Sequence, residues 1–363
     1  MEKAVIAAGG LSVGYGKRVV VNGLDFEVCP GEILTIIGPN GAGKTTVLKS
    51  ISAQLPVISG SISIKNNDVG RISLNDISKT LAVCFTGRIS PERMTCEDIV
   101  SAGRYPYTGR LGLLSPDDRR IVSEAMELTG ISPLRDTDIN CISDGQRQTV
   151  MLARAIAQQP EVLILDEPSS FLDINNKLRL LSLLRGLAET RNIAVVQTLH
   201  ELDLAQRFSD KILCIKDNKA DRVGTPEEIF SGDYISQLYG ITYGTFHSLF
   251  GTAEAQKVNG EPQVFVIGGG GSGIPVYRRL QRQGIPFAAG VIHENDIEYP
   301  IARSLAAELI SEKAFEPISD EKIAYARGIM RKCREVICCT EKFGTMNMGN
   351  RVLLEEYRGK GSV

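Results

Sequence analysis

The run Gly38-Pro39-Asn40-Gly41-Ala42-Gly43-Lys44-Thr45-Thr46 gathers glycines, a lysine and two hydroxyls into one short stretch. Glycines let a backbone curl until successive N–H groups face inward, where they bind phosphate oxygens. In the spacing GxxxxGK[ST], Lys44 would set its charge between β- and γ-phosphates, and Thr45 would offer its hydroxyl to Mg²⁺. The plainer alternative is a glycine-rich turn with an exposed lysine. That alternative requires neither the apolar run Ile33–Ile37 in front nor Val47, Leu48 and Ile51 behind, and both are present.

A second apolar run, Val162–Leu165, ends in Asp166 and Glu167. If it is a buried strand, both carboxylates stand at the carboxyl edge of a sheet, where open α/β folds bind ligands. Asp166 would then support a Mg²⁺ shell, and Glu167 would polarise an attacking water as general base. Upstream, Ile142-Ser143-Asp144-Gly145-Gln146-Arg147-Gln148 opens a helix with Ser143 at the N-cap and Gln146 three residues on, a capping box. Ser143, the Gly145 backbone and the helix dipole also make a second anion site, too far along the chain to serve the phosphate loop of its own copy. One such site suggests two chains.

The elements that position these groups follow from periodicity. Buried strands are expected at Ile33–Ile37, Val162–Leu165 and 193–197, each followed by a polar or glycine-rich turn. Between the first two, residues 87–158 carry helical spacing, as in Ile121, Ala125 and Leu128, or Val150, Ala153, Ile156 and Ala157. The fold class expected is α/β: a mainly parallel sheet over residues 1–250 with a helical insert at 87–158. A small, aperiodic segment at 251–261 reads as a linker before a second α/β domain at 262–363. At 363 residues and 43% hydrophobic, the chain has enough apolar surface for two cores. The net charge of -2 gives no support for a nucleic-acid partner held by counterion release. No apolar run approaches bilayer length and no leader is apparent, so a cytoplasmic protein that reaches a membrane only by docking is expected. Eight cysteines lack CxxC spacing and neighbouring histidines, which suggests buried, reduced thiols rather than zinc.

Taken in order, these motifs resemble the ATPases of ABC transporters over residues 1–250. Ile142 to Gln146 stands where that family has LSGGQ, Ser169-Ser170-Phe171-Leu172-Asp173 resembles its D-loop, and Thr198-Leu199-His200 its switch histidine. The resemblance implies a head-to-tail homodimer that sandwiches two Mg·ATP between the phosphate loop of one copy and the Ser143–Gly145–Gln146 segment of the other. It further implies that Tyr15 stacks on adenine and that His200 contacts the γ-phosphate and steadies Glu167. Ala102-Gly103-Arg104-Tyr105-Pro106-Tyr107 and Leu114-Ser115-Pro116-Asp117-Asp118 are similar to importers of iron-siderophore, haem or cobalamin. Those act with two integral membrane permease subunits and a substrate-binding protein, at the cytoplasmic face of the membrane. Two positions depart from the family. Thr86 stands where the Q-loop glutamine belongs and would be a shorter metal contact, and Asp144 replaces a glycine beside the γ-phosphate position. An ABC ATPase with another substrate is the alternative.

In the tail, Val264–Ile267 leads into Gly268, Gly270 and Gly273, the order strand, glycine loop, helix of a dinucleotide-binding turn. A second strand at 287–292 ends near Glu294 and Asp296, about where a ribose-binding acid would sit. Three readings stand open: a Rossmann-like dinucleotide or nucleotide site, with nucleotide or redox sensing that regulates the cassette as one role for it; a site for another small ligand; and a purely structural or dimerising domain.

Overall fold

Strands that read as unbroken Val/Ile/Leu runs become the centre of a parallel sheet, because only there are both faces of a strand covered. The computed structural model describes residues 3–85, 92–109 and 112–360. Its first ten strands are β1 (Ile6–Tyr15), β2 (Arg18–Val28), β3 (Ile33–Ile37), β4 (Val57–Ile64), β5 (Asn67–Asp68), β6 (Leu81–Cys84), β7 (Val162–Leu165), β8 (Ala194–Thr198), β9 (Lys211–Lys216) and β10 (Lys219–Gly224). They form one sheet in the order β5-β4-β1-β2-β10-β9-β3-β8-β7-β6. From β9 to β6 the neighbours run parallel, and every residue of β3, β7 and β8 is buried. All carboxyl ends of this parallel block therefore open on one edge. The loop after β3 starts the helix Lys44–Ile51, and the acids follow β7 on that same edge. The third strand begins one residue later than expected, at Ala194 rather than 193, and includes Thr198.

The helical insert contains the helices Cys96–Ser101, Pro116–Thr129 and Asp144–Ala157. Ser115 caps the second through a capping box with Asp118, Pro116 opens it, and Gly130 closes it at φ 75°. Of the expected apolar stripe, Ile121 and Ala125 are buried, whereas Leu128 is exposed. The two segments that carry the importer resemblance meet here. Arg104 Nε donates to Asp118 Oδ1 at 2.8 Å, and Arg104 Nη1 donates to the carbonyl of Ala157 at 2.9 Å. Both side chains are nearly buried. Gly103 is required beside them, since a Cβ there would lie 2.2 Å from the carbonyl oxygen of Arg154.

The chain divides into compact units at Tyr239/Gly240, earlier than the boundary at residue 250 expected from composition. The segment 251–261 is not simply a linker. Its residues Thr252–Ala255 form β12, paired antiparallel with β11 (Gly244–His247), and Glu254 of β12 accepts hydrogen bonds from Arg278 in the helix Ile274–Arg282 of the second unit. Short strands of small residues carry too little apolar periodicity to be read from sequence. The second unit is built on β13 (Val264–Ile267), β14 (Phe287–His293), β15 (Glu308–Glu312) and β16 (Glu335–Cys338), all parallel, in the order β15-β14-β13-β16. Separate apolar clusters cover its two faces, one around Tyr277 and Phe287 and one around Phe265 and Leu353.

Cys84, Cys96 and Cys214 are buried, as expected of reduced core thiols, but Cys141 is exposed and the others are half-buried. Among the described residues no helix is long and apolar enough to cross a membrane.

Candidate active site

The phosphate loop is shaped by backbone that only glycine tolerates. Gly38, Gly41 and Gly43 have φ of 149°, 80° and 101°. A Cβ on Gly38 would lie 2.2 Å from the carbonyl oxygen of Ile215, and one on Gly43 would lie 2.5 Å from Val21 Cγ2. Lys44 curls back over the loop, donating to the carbonyls of Gly38 at 2.7 Å and Pro39 at 3.1 Å. Burial lowers its pKa, while the carboxylates of Glu167 and Asp166 act in the opposite sense. A cleft of about 560 Å³ opens above the loop, lined by Tyr15, Asn40, Lys44, Thr45, Thr46 and Glu167 among others. Tyr15 is half exposed at its rim. Ala42 is buried beneath the loop.

Across the cleft floor, Thr45 Oγ1 donates to Asp166 Oδ2 at 2.8 Å. That pair fits a Mg²⁺ ion: both groups are hard oxygen donors, and the hydroxyl turns its proton toward the acid, leaving lone pairs for a cation. Glu167 Oε1 lies 2.5 Å from His200 Nε2, and its Oε2 accepts from Ser170 Oγ at 3.1 Å. An ionised Glu167 requires the His200 proton on Nε2. The phosphate loop, both acids and the histidine are thus assembled at one sheet edge.

Two residues to which the sequence reading gave no role complete the assembly. Thr198 Oγ1 donates to Asp166 Oδ1 and accepts the N–H of Glu167, each at 2.8 Å. The hydroxyl of Tyr239 accepts the Gly38 N–H at 3.2 Å. Burial pushes that phenol up to about 12, so it stays neutral at ordinary pH. The only signal for Thr198 was its place two residues before His200; nothing signalled Tyr239, which is 201 residues distant from Gly38. Thr86 lies outside the described residues.

The Ser143 segment stands apart. Ser143 Oγ accepts the Gln146 N–H at 3.2 Å and Gln146 Oε1 accepts the Ser143 N–H at 3.0 Å, which completes the capping box. Asp144 pairs with Arg147 at 3.0 Å. Ser143, Gly145 and Gln146 line a different cleft, of about 730 Å³, together with Phe171 and Leu172, and it shares no residue with the cleft over the phosphate loop.

The glycine loop of the second unit does not fit a dinucleotide. Three of its N–H groups are already taken by carboxylates of the same chain. Gly269 and Gly273 donate to Glu298 Oε2 at 2.9 and 3.0 Å, and Gly270 donates to Asp296 Oδ2 at 2.7 Å. Glu298 is fully buried and also accepts from the Tyr277 hydroxyl. A Cβ on Gly268 or Gly273 would lie 2.0 or 2.2 Å from Glu298 Oε1, so both glycines make room for the acid. Asp296, expected near a ribose, instead caps the loop.

A parallel block of sheet with a phosphate loop, paired acids and a histidine at its carboxyl edge, together with a serine-capped helix start in a helical insert, defines a nucleotide hydrolase of the ATP-binding-cassette class. The family model for ABC transporters matches residues 21–170, and a model described as the MJ0874 family matches 287–363. An uncharacterised ABC transporter ATP-binding protein of Methanocaldococcus jannaschii is 42% identical over 271 residues, 74% of this chain and 93% of its own length. The cobalamin import ATP-binding protein of Halobacterium salinarum is 30% identical over 324 residues, 87% of this chain and 81% of its own. A solved ABC transporter assigned to the metal-chelate type, in an inward-facing conformation, superposes with a TM-score of 0.57 at 26% identity, over 65% of this chain and 89% of that one. The chain belongs to the ABC transporter ATP-binding proteins and is an ATPase of that family, as its sequence resemblance implied.

Proposed function

We propose that this ATPase energises import of a metal chelate, such as an iron-siderophore, haem or cobalamin, through separate membrane proteins. The observation that carries the hydrolytic part is the contact of 2.5 Å between Glu167 and His200 above a lysine-bearing phosphate loop. The loop N–H groups and Lys44 would hold the β- and γ-phosphates, and Tyr15 at the rim would cover adenine. Thr45 and Asp166 would hold Mg²⁺, which when bound neutralises charge on the phosphate oxygens. Glu167 would take the proton of the attacking water while His200 keeps its carboxylate aimed.

Closure as a homodimer would bring Ser143, Gly145 and Gln146 of one copy onto the nucleotide of the other. Two permease subunits at the cytoplasmic face of the membrane would receive that motion, with a substrate-binding protein delivering the chelate. The relative named for cobalamin import and the likeness of residues 102–107 and 114–118 to such importers support the substrate class. Proteoliposomes holding this chain and its permeases should take up a labelled corrinoid or ferric chelate only with Mg·ATP inside. ATP-driven uptake of some other solute class, with no chelate transported, would refute the assignment.

A further inference from the structure

Thr198 ends β8 with its side chain fully buried, beside the acids that end β7. The two strands are parallel with Leu165 opposite Gln197, so the next residues along, Asp166 and Thr198, face each other. The hydroxyl uses both of its capacities there: its proton goes to Asp166 Oδ1 and a lone pair receives the N–H of Glu167. Asp166 is therefore held by one hydroxyl on each oxygen, Thr198 on Oδ1 and Thr45 on Oδ2. Glu167 meanwhile leaves the strand at φ 49°, in the left-handed region that a non-glycine residue rarely adopts. Its N–H bond to Thr198 is what ties that turn to the neighbouring strand.

We infer that Thr198 is a positioning residue that sets both acids at once, fixing the Asp166 carboxylate for the cation and the backbone turn from which Glu167 reaches its water. This rests on the reading of Asp166 and Glu167 given above. A β-branched residue has few χ1 choices, so the hydroxyl is delivered to this one place at little entropic cost. Valine keeps the shape and loses both bonds, whereas serine keeps the bonds and loses a methyl.

The test is Thr198→Val against Thr198→Ser in the full chain, read as the Mg²⁺ concentration for half-maximal ATPase, kcat, and nucleotide binding without metal. For Thr198→Val the Mg²⁺ midpoint should rise and kcat should fall by roughly tenfold each, the range found when groups supporting metal ligands are removed. Metal-free nucleotide binding should not move, and serine should restore both quantities to within about threefold. An unchanged Mg²⁺ midpoint in Thr198→Val, or equal losses in the valine and serine variants, would overturn the inference. Where valine prevents folding, Thr198→Cys gives the same readout, because a thiol is only a weak donor. Glu167→Gln measured alongside separates the two claims. Fast hydrolysis by Glu167→Gln with a shifted midpoint in Thr198→Val would sink the base assignment and leave the Thr198–Asp166 link standing.

Discussion

At the residue scale, Glu167, the general base of the proposed mechanism, is fixed by three neighbours: His200 and Ser170 on its carboxylate, and Thr198 on its backbone. Replacing it by glutamine keeps the shape and removes the base. Glu167→Gln should still bind ATP yet hydrolyse it at least ~100-fold more slowly, as measured by single-turnover release of labelled phosphate. Turnover near the wild-type rate would refute the role. Lys44, Thr45, Asp166 and Glu167 were legible in the sequence because each is a reactive type at a fixed offset from a strand end, and His200 was legible only through the family resemblance. Thr198, Ser170 and Tyr239 were not. A hydroxyl has no chemistry of its own to announce, and its use here depends on which strand lies beside which.

At the scale of elements, two glycine loops that each link a buried strand to a helix do opposite things. The loop at Gly38 turns its curve toward an open cleft, whereas the loop at Gly268 is filled by Glu298 and Asp296 from 25 to 29 residues further along. The Gly268 loop lacks the lysine and hydroxyl that follow Gly43, but nothing local shows that acids fill it, since only the fold brings them back. Glu298→Ala would strand the buried Gly273 N–H, the part-buried Gly269 N–H and the Tyr277 hydroxyl, at up to about 1–3 kcal/mol for each group left without a partner. Urea unfolding of the second unit should therefore begin at markedly lower concentration, while ATPase activity per folded cassette stays the same. Added nicotinamide dinucleotides should leave the melting temperature of the wild-type chain unchanged; a rise on adding one would show that the acids yield to a ligand. The same dependence on folding explains why Arg104 and Asp118 were read as two family traits, when they are the two halves of one buried ion pair.

At the scale of the whole molecule, the chain has two cores, and its division at Tyr239/Gly240 places the short hairpin of β11 and β12 with the second. The alternation of apolar runs and helical stripes made the α/β class and the helical insert readable, because burial on both faces forces uniform strands. The boundary was not, because a four-residue strand of small residues looks like a linker. The phosphate loop and the Ser143 segment line separate clefts of one copy, and the proposed site is completed only between two copies. A second copy would supply the missing half. The most direct test is light scattering of the full-length Glu167→Gln chain with Mg·ATP, with and without Ser143→Arg. The Glu167→Gln chain alone should double its mass on adding ATP, and the added arginine should hold it monomeric while ATP affinity stays within about twofold, since Ser143 lines a cleft separate from the one over the phosphate loop of its own copy. A dimer that persists with Ser143→Arg, or a Glu167→Gln chain that binds ATP and stays monomeric, would contradict the shared site.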